Sequence, residues 1–596
     1  MCPTCKTPLR RDQLFPNYAL NAVLEKVKTN SIGVTLPPLA QLENVLTSQS
    51  LALADVNKLL GLLLAQKRSM ESETKHEELE LLLDFLYRTK QQHKSSNLNG
   101  SYDMLEEHIK QLERQKVLFV ASQDPDAYGF TPSCIGGRER SPSVGEKRGY
   151  GTMAAPCDSM NRPHEERDQL VNKKRRIVEH MDELQQTYFR MLKAKKQQRL
   201  ARAVTSGEHD AKGKERRDVT GRPGTEAVAA EYKNDAATTT PTTGGGGAVV
   251  DLDTFGKQLQ KLVRFNGYEI IAAIQDPSRG SAREGSGRGQ GRAHASLVTS
   301  IEFDKEGQHF AVAGYNKRIR VFDYRSVVEG AGTTHFPVHE LTTLSRLSCV
   351  SWNGYIRSQL AGSEYSGRVS VWDLNTSQLV CKWHEHEKRA WSVHFAPTHP
   401  TRIVSASDDT KVKLWSMNQR LSAGTIEVQA NVCSVKFHPE SPHYLAFGAA
   451  DHQIHYYDAR SLREPLFVLR GHDKAVSHIQ FLDSSRLVSA SIDGTLRLWD
   501  VNTAESLLSF SSHVNKRLFV GLSVHGGEWI TTGSENNQVY TYHKDFKTPL
   551  YQYSFDEAPS TATNEGDFIS AVCYQKTENV ILAANSRGLI QALQLK

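Results

Sequence analysis

Three groups of residues in this 596-residue chain have types and spacings that could do chemistry. Cys2 and Cys5, in Cys-Pro-Thr-Cys, are spaced as two thiolate corners of a tetrahedral zinc site. Two corners do not hold a structural zinc, and no further Cys or His follows until His76. The other ligands are therefore expected upstream of Met1, from another chain, or not at all. Second, Ser491, Asp493, His472 and Trp499 have the composition of a hydrolase constellation. They recur in phase as Ser407, Asp409, His386 and Trp415, and a catalytic triad has no need of copies. A buried hydrogen-bonded tetrad that fixes a turn accounts better for the recurrence. Third, Arg389, Trp391 and Lys474 place two cations and one large indole at corresponding points of a repeated pattern. That combination suits an extended acidic peptide with a compact apolar anchor. The competing reading of Trp391 is an isolated packing choice.

The elements that position these residues are legible in the repeats. Val404-Ser-Ala-Ser-Asp-Asp-Thr-Lys-Val-Lys-Leu-Trp415 and Val488-Ser-Ala-Ser-Ile-Asp-Gly-Thr-Leu-Arg-Leu-Trp499 each read as two antiparallel strands joined by a tight turn. The closing aromatic recurs at Phe322, Trp372, Trp415, Tyr457, Trp499 and Tyr542, at intervals of 42 or 43 residues after the first. That period belongs to WD-repeat propeller blades. Arg587 and Gly588 mark a seventh copy without the aromatic. Its missing outer strand is expected from Lys261–Ala273, since a ring closes only when the last sheet is completed by the first segment. The expected fold is an all-β seven-bladed WD-repeat propeller at the C-terminus, preceded by an α-helical coiled-coil region and disordered linkers. In such a ring the positions just before each innermost strand line one mouth. Aligning those strands sets Arg389 beside Lys474, and Trp391 where other copies have Val350, Cys433 and Val476.

Composition bounds the rest. The net charge is only +6, which does not argue for a nucleic-acid partner. No apolar run approaches the ~20 residues of a bilayer span, and no signal peptide opens the chain. Eight scattered cysteines do not make a disulfide framework and are expected as reduced thiols. A soluble intracellular protein is expected.

The domain organisation reads as a zinc-finger remnant over 1–30, helical coiled coil over 38–120 and disordered linker over 121–165. A basic helix over 166–203, a low-complexity linker over 204–255 and the propeller over 256–596 follow, the last with a disordered insertion at 277–294. Leu79, Leu82, Leu83 and Leu86, then Leu105, Ile109 and Leu112, form a stripe that suits self-association or a helical hairpin. Residues 173–202 hold ten Lys or Arg against three acidic residues. Lys173, Lys174, Arg175, Arg176, Lys193, Lys195 and Lys196 thus form two basic clusters suited to nuclear import, or a solvated helix face. Arg279–Arg292 alternates Gly, Ser and Arg without aromatics for base stacking, so an unstructured insertion is favoured over RNA binding.

Cys2-Pro-Thr-Cys5 with Leu14-Phe-Pro-Asn-Tyr-Ala-Leu20 resembles the tail of a RING finger. Glu385-His-Glu-Lys-Arg-Ala-Trp-Ser-Val393, Ala450-Asp-His-Gln-Ile-His-Tyr-Tyr-Asp-Ala-Arg460, Phe519-Val-Gly-Leu522 and Gly533-Ser-Glu-Asn-Asn-Gln-Val-Tyr-Thr-Tyr-His-Lys544 resemble the constitutive-photomorphogenesis ubiquitin ligases. In that family a RING finger, a coiled coil and a seven-bladed propeller follow in this order, and the propeller receives Val-Pro peptides with acidic neighbours from transcription regulators. The resemblance implies a peptide groove of Arg346, Tyr365, Arg389, Trp391, His452, Lys474 and Phe519. It also implies docking on a cullin-4 adaptor through Asp458 and Arg460, with Tyr457 in place of Trp. Two departures stand out. Lys516 replaces the usual Glu near Phe519, and the RING is represented only by Cys2 and Cys5.

The expected function is therefore that of a ubiquitin-protein ligase of light or developmental signalling. It would capture acidic Val-Pro peptides and work with a ubiquitin-conjugating enzyme in nucleus and cytoplasm. Zinc is expected only if missing ligands lie upstream of Met1, through a start codon assigned too far downstream. The propeller itself needs no cofactor, no membrane partner is expected, and the chain as written is expected to be inactive alone. The alternatives are a non-catalytic adaptor of a cullin-type ligase and an RNA-binding scaffold.

Overall fold

Strand alternation and tight turns carry the C-terminal half into short antiparallel ladders, and the computed structural model arranges them as seven four-stranded sheets. The structure describes residues 53–92, 99–123, 164–193, 249–274, 297–330, 335–555 and 566–596. Cys2, Cys5, Lys195, Lys196, the expected insertion at 277–294 and most of the expected linkers lie outside them.

Each blade runs in sequence order from the channel outward. Blade three is Ala390–Phe395, Arg402–Ser407, Lys411–Ser416 and Gly424–Glu427. Blade seven takes three strands from the C-terminus and its outer strand from Tyr268–Ile274, which pairs antiparallel with Ile590–Leu595, Tyr268 opposite Leu595. The seven blades and the closing strand are as the repeats predict. The closing strand starts later than expected, because Lys261–Val263 end a helix, Val249–Val263. The apolar residues there repeat at helical spacing, and Leu252, Phe255, Leu259 and Leu262 are all buried.

Adjacent blades share apolar layers. Ala311 and Val321 of blade one pack with Leu347, Trp352 and Leu360 of blade two. Each large side chain buried this way contributes roughly 1.5–3 kcal/mol. The recurring aromatics Trp415, Trp499 and Tyr542 are among the most deeply buried side chains.

Among the described residues, those up to Leu83 with those from Ile109 to Gln123 form one compact unit, and the rest another. Helices α1, Leu53–Gln92, and α2, Asn99–Gln123, each contribute to both. In the first unit His76 stacks on Phe119 at 6.1 Å, while Leu60, Leu64 and Met70 are exposed. In the second, helix α3, His164–Glu179, continues after a turn at His180 as helix over 181–193. Tyr188 of that stretch lies 5.9 Å from Phe85 and 5.3 Å from Phe255 between ring centroids. Among the described residues no helix is long and apolar enough to cross a membrane.

Candidate functional site

The site is built from three positions at one mouth of the channel, two repeated in every blade and the third in six of the seven. The first is the residue before the innermost strand, whose carbonyl accepts a backbone N–H from the hairpin turn of the same blade. Tyr315 donates to Leu297, Tyr365 to Arg346, Asp408 to Arg389 and Ala450 to Asn431. The second position is that donating turn residue. The third is an irregularity in the inner strand, where the pairing register slips by one residue. The extra residue there is Thr299, Ser348, Trp391, Cys433, Ser477 or Ser570 in blades one to five and seven. A bulge re-aims the extra side chain away from the ladder. All six of these residues line one cavity of about 370 Å³. Five are small, and the sixth is an indole.

Around Trp391 the turn and rim residues complete the groove. Trp391 is half-buried and donates its Nε1–H to Asp408 at 2.7 Å. The same carboxylate accepts from Arg389 Nε at 3.0 Å. The Arg389 guanidinium lies 5.1 Å from the Trp391 ring and 5.8 Å from the Tyr365 ring. Edge-to-face contacts run from Tyr315 to Tyr365 at 5.4 Å, on to Trp391 at 5.4 Å, and across to Phe519 at 5.1 Å. Tyr315 and Tyr365 also share a 2.9 Å hydrogen bond between hydroxyls, and burial pushes the Tyr365 hydroxyl well above its usual range. Arg346 stacks over Tyr315 at 4.8 Å. The result is a row of aromatic edges with cations above it.

The expected groove residues fall as follows. Arg346, Tyr365, Arg389, Trp391 and Phe519 are joined by these contacts. Lys474 is exposed beside the first residues of its inner strand, on the same mouth. His452 is exposed at the third residue of its blade's turn with φ +70°. That turn position is left-handed in every blade, being Lys317, Gly367, Thr410, His452, Gly494, Asn537 and Gly588.

Two sequence readings need correction. The alignment of Arg389 with Lys474 is one residue out. The Ser407 hydroxyl donates to the Lys388 carbonyl at 3.3 Å and the Ser491 hydroxyl to that of Lys474 at 3.1 Å, so Lys474 matches Lys388. Trp391 accordingly matches Ser348, Cys433 and Ser477, and Val350 and Val476 drop out. Matching like charges across the loop caused the slip, and one residue on a strand reverses its facing. The tetrad likewise takes a different serine. His386 contacts Asp409 at 2.7 Å through Nδ1 and Ser405 at 2.7 Å through Nε2, and Trp415 Nε1 donates to Ser405 at 2.8 Å. His472, Asp493, Ser489 and Trp499 repeat the arrangement. Ser407 and Ser491 sit at the strand ends and accept the turn N–H of Asp409 and Asp493 instead. Each His is walled in, so the tetrad is a turn-fixing network as the recurrence suggests.

Asp458 and Arg460 form a forked ion pair at 2.7 Å with Arg460 exposed. Of the basic cluster, Arg175 is exposed and Arg176 is buried. The Arg176 guanidinium donates to the carbonyls of Phe265 and Asn266 and lies 4.8 Å from the Tyr551 ring. Among the described residues no group of three or more His, Cys, Asp or Glu could hold a metal ion. Sequence reasoning missed Tyr315, Asp408, Leu518 and Glu535. Tyr315 was within reach, because it stands in blade one where Tyr365 stands in blade two.

Seven four-stranded blades closed by an upstream strand define a WD-repeat propeller. The family pattern described as WD domain, G-beta repeat, matches residues 289–323, 377–416 and 463–500. The chain is 34% identical over 637 aligned positions to the E3 ubiquitin-protein ligase COP1 of Arabidopsis thaliana, covering all of this chain and 87% of that protein. It is 33% identical to the E3 ubiquitin-protein ligase COP1 of Pisum sativum, over all of this chain and 88% of that protein. Protein SUPPRESSOR OF PHYA-105 1 of Arabidopsis thaliana is 34% identical over 89% of this chain and 49% of its own length. The chain belongs to the COP1 family of constitutive-photomorphogenesis WD-repeat proteins of the ubiquitin-ligase type.

Proposed function

We propose that the chain is the substrate-recognition and ubiquitin-ligase protein of a constitutive-photomorphogenesis system. The propeller mouth would receive acidic Val-Pro peptides of transcription regulators and direct their ubiquitination. The observation that carries this reading is Trp391, set among five small bulge residues, half-buried, and framed by Arg389, Tyr365 and Phe519. An indole edge and a guanidinium held by one carboxylate offer an apolar seat beside a fixed positive charge. Lys474, Arg346 and His452 supply further positive or polar groups on the same mouth.

A ubiquitin-conjugating enzyme would be the partner for transfer, and Cys2 and Cys5 would hold zinc only where the remaining RING ligands are supplied. The forked Asp458–Arg460 pair would dock on a cullin-4 adaptor. The helical region would bind itself or a related coiled coil. Lys173, Lys174, Arg175, Lys193, Lys195 and Lys196 would serve nuclear import, so that the protein works in nucleus and cytoplasm.

A second reading is a non-catalytic adaptor that binds substrate and leaves ubiquitin transfer to partners. The likeness to Protein SUPPRESSOR OF PHYA-105 1 over 89% of this chain supports it. An autoubiquitination assay on the natural full-length product, with conjugating enzyme and zinc, separates the two, since an adaptor alone forms no conjugates. Titration of a labelled acidic Val-Pro peptide tests what both share. Failure of that peptide to bind removes the groove from either reading.

A further inference from the structure

The channel below the groove carries charge that the peptide reading does not use. Its cavity, of about 420 Å³, is lined by the innermost strands and extends to the mouth opposite the groove. Pro397, Pro439 and Lys576 line it there, on the loops that join the first two strands of blades three, four and seven. Within the channel one layer of side chains has a repeated duty. Glu302 Oε2 accepts the backbone N–H of Trp352 at 3.1 Å, Ser351 Oγ that of Phe395 at 3.1 Å, His394 Nδ1 that of Phe437 at 3.1 Å, and Ser523 Oγ that of Tyr574 at 3.0 Å. Each bond ties one blade to the next and satisfies an N–H that the blade's own ladder leaves over. The same register position in blade four is Lys436, opposite Ala446 as His394 is opposite Val404. An ammonium has three donors and no acceptor, so it cannot do this duty.

Lys436 is half-buried in the channel, and a charge held away from bulk water is costly unless it is paired. Among the described residues neither Lys436 nor Lys576 makes an ion pair. The one carboxylate that lines the cavity is Glu302. Burial pushes its carboxyl up, and the charges of Lys436 and Lys576 pull the other way without offsetting it, so both lysines act on the stretch of channel that Glu302 faces. Burial first, and then the same lysine charges, push His394 down; burial and Lys436 push His478 down to about 4. Both imidazoles are therefore neutral near pH 7. Since Nδ1 of His394 accepts from Phe437, its proton sits on Nε2, which is a donor. Nδ1 of His478, one layer nearer the groove, is buried without a hydrogen-bond partner. Two ammonium groups and an imidazole N–H thus share the cavity with a single carboxylate, an excess of both positive charge and donors.

We propose that the lower channel is a binding site for a free tetrahedral oxyanion of the size and charge of inorganic phosphate, held between Lys436 of blade four and Lys576 of blade seven with His394 Nε2 as a further donor. Charge-assisted bonds of this kind are the strong ones. The site stands apart from the peptide groove, since Lys436, Lys576, His394 and Glu302 line the channel cavity and not the groove cavity. An anion bound there ties together walls that come from separate blades. It binds the closed ring and not the unfolded chain, so it stabilises the propeller in proportion to its own occupancy. Glu302 opposes it, as a like charge on the same stretch of channel.

The test uses the full chain, with thermal unfolding followed in sodium phosphate and in sodium chloride at equal ionic strength and pH, and with phosphate affinity read by calorimetry. Phosphate is expected to raise the melting temperature above that in chloride, with a dependence on concentration that follows the measured Kd. Lys436→Gln and Lys576→Gln should each weaken phosphate by about tenfold or more, the scale of one lost charge-assisted hydrogen bond. Glu302→Gln keeps an oxygen for the Trp352 N–H and removes the opposing charge, so phosphate should bind about threefold tighter. Lys382→Gln, an exposed lysine on the outer strand of blade two, should bind phosphate as the native chain does. Equal melting temperatures in phosphate and chloride on the native chain overturn the site. So does an unchanged Kd in Lys436→Gln, a Kd in Glu302→Gln that is no tighter, or a loss in Lys382→Gln as large as that in Lys436→Gln, which would mark general attraction to surface charge. The comparison of the two salts is made on the native sequence, so misfolding of a variant cannot decide it.

Discussion

Removing the Trp391 side chain tests the groove most directly. The indole meets Tyr365 at 5.4 Å, Phe519 at 5.1 Å and the Arg389 guanidinium at 5.1 Å, and its Nε1–H donates to Asp408 at 2.7 Å. In Trp391→Ala the apolar seat is lost, and Phe519 loses the ring against which it stands. Asp408 keeps Arg389 as a partner, so no carboxylate is left bare. Truncating an aromatic anchor of this kind costs about 2 kcal/mol or more, close to thirtyfold in Kd. Trp391→Phe keeps a ring but not the donor, and about 1 kcal/mol is expected for that loss. Calorimetry with an acidic Val-Pro peptide reads both variants, and thermal unfolding in the same buffer reports whether the ring survives. Trp391 is half-exposed, whereas Trp415 is fully buried, so the melting temperature should fall less for Trp391→Ala than for Trp415→Ala. An unchanged Kd in Trp391→Ala, with the fold intact, refutes the assignment.

Lys474→Glu should weaken acidic peptides most at low salt, the difference shrinking as salt screens exposed charges; a salt-independent loss would contradict a charge role. Ser405→Ala removes the shared partner of His386 and Trp415, and should destabilise the propeller by about 1–3 kcal/mol in urea unfolding, with peptide affinity nearly unchanged. Burial raises the Asp409 and Asp493 carboxyls, but hydrogen bonds to His386, and to His472 and Thr495, more than offset it, and both lie below the ordinary value of 3.8. Their contribution to stability is thus complete above about pH 4 and is lost as pH falls through the lowered values, visible as acid unfolding that His386→Ala shifts to higher pH. His180 is pushed down to about 4, by burial and then by Arg176. Its neutral form stabilises the helix over 164–193 fully above pH 6.5, and that support is lost as pH falls toward 4. Amide exchange in this stretch should quicken over that interval, and His180→Gln should remove the dependence.

Much of the fold was legible because the information is local and repeated. The interval between Trp372, Trp415, Tyr457, Trp499 and Tyr542 counts blades, and the missing strand of the last copy implies closure from upstream. The start of that closing strand was less legible. Lys261–Val263 have apolar residues that fit either period, and packing of Leu259 and Leu262 decides for helix. The tetrad was readable in kind but not in which serine it uses. Ser405 and Ser407 point to the same face of one strand, and only three-dimensional distance shows that the mid-strand residue lies between His386 and Trp415.

What the amino-acid order determined alone is the ring, its seven sheets and the unusual chemistry of Trp391, Arg389 and Lys474, since repeats expose any residue that breaks them. What tertiary structure decided is how these become a surface. Bulges of one residue leave no trace in periodicity, yet they turn six side chains into one cavity. Closure of the ring brings Phe519, from the approach to blade six, onto Trp391 of blade three. Burial likewise separates Arg176 from the basic residues beside it, because two backbone carbonyls before the closing strand lie within its reach. Distance along the chain carries none of this, since side chains far apart in order meet only after the sheets have closed on one another.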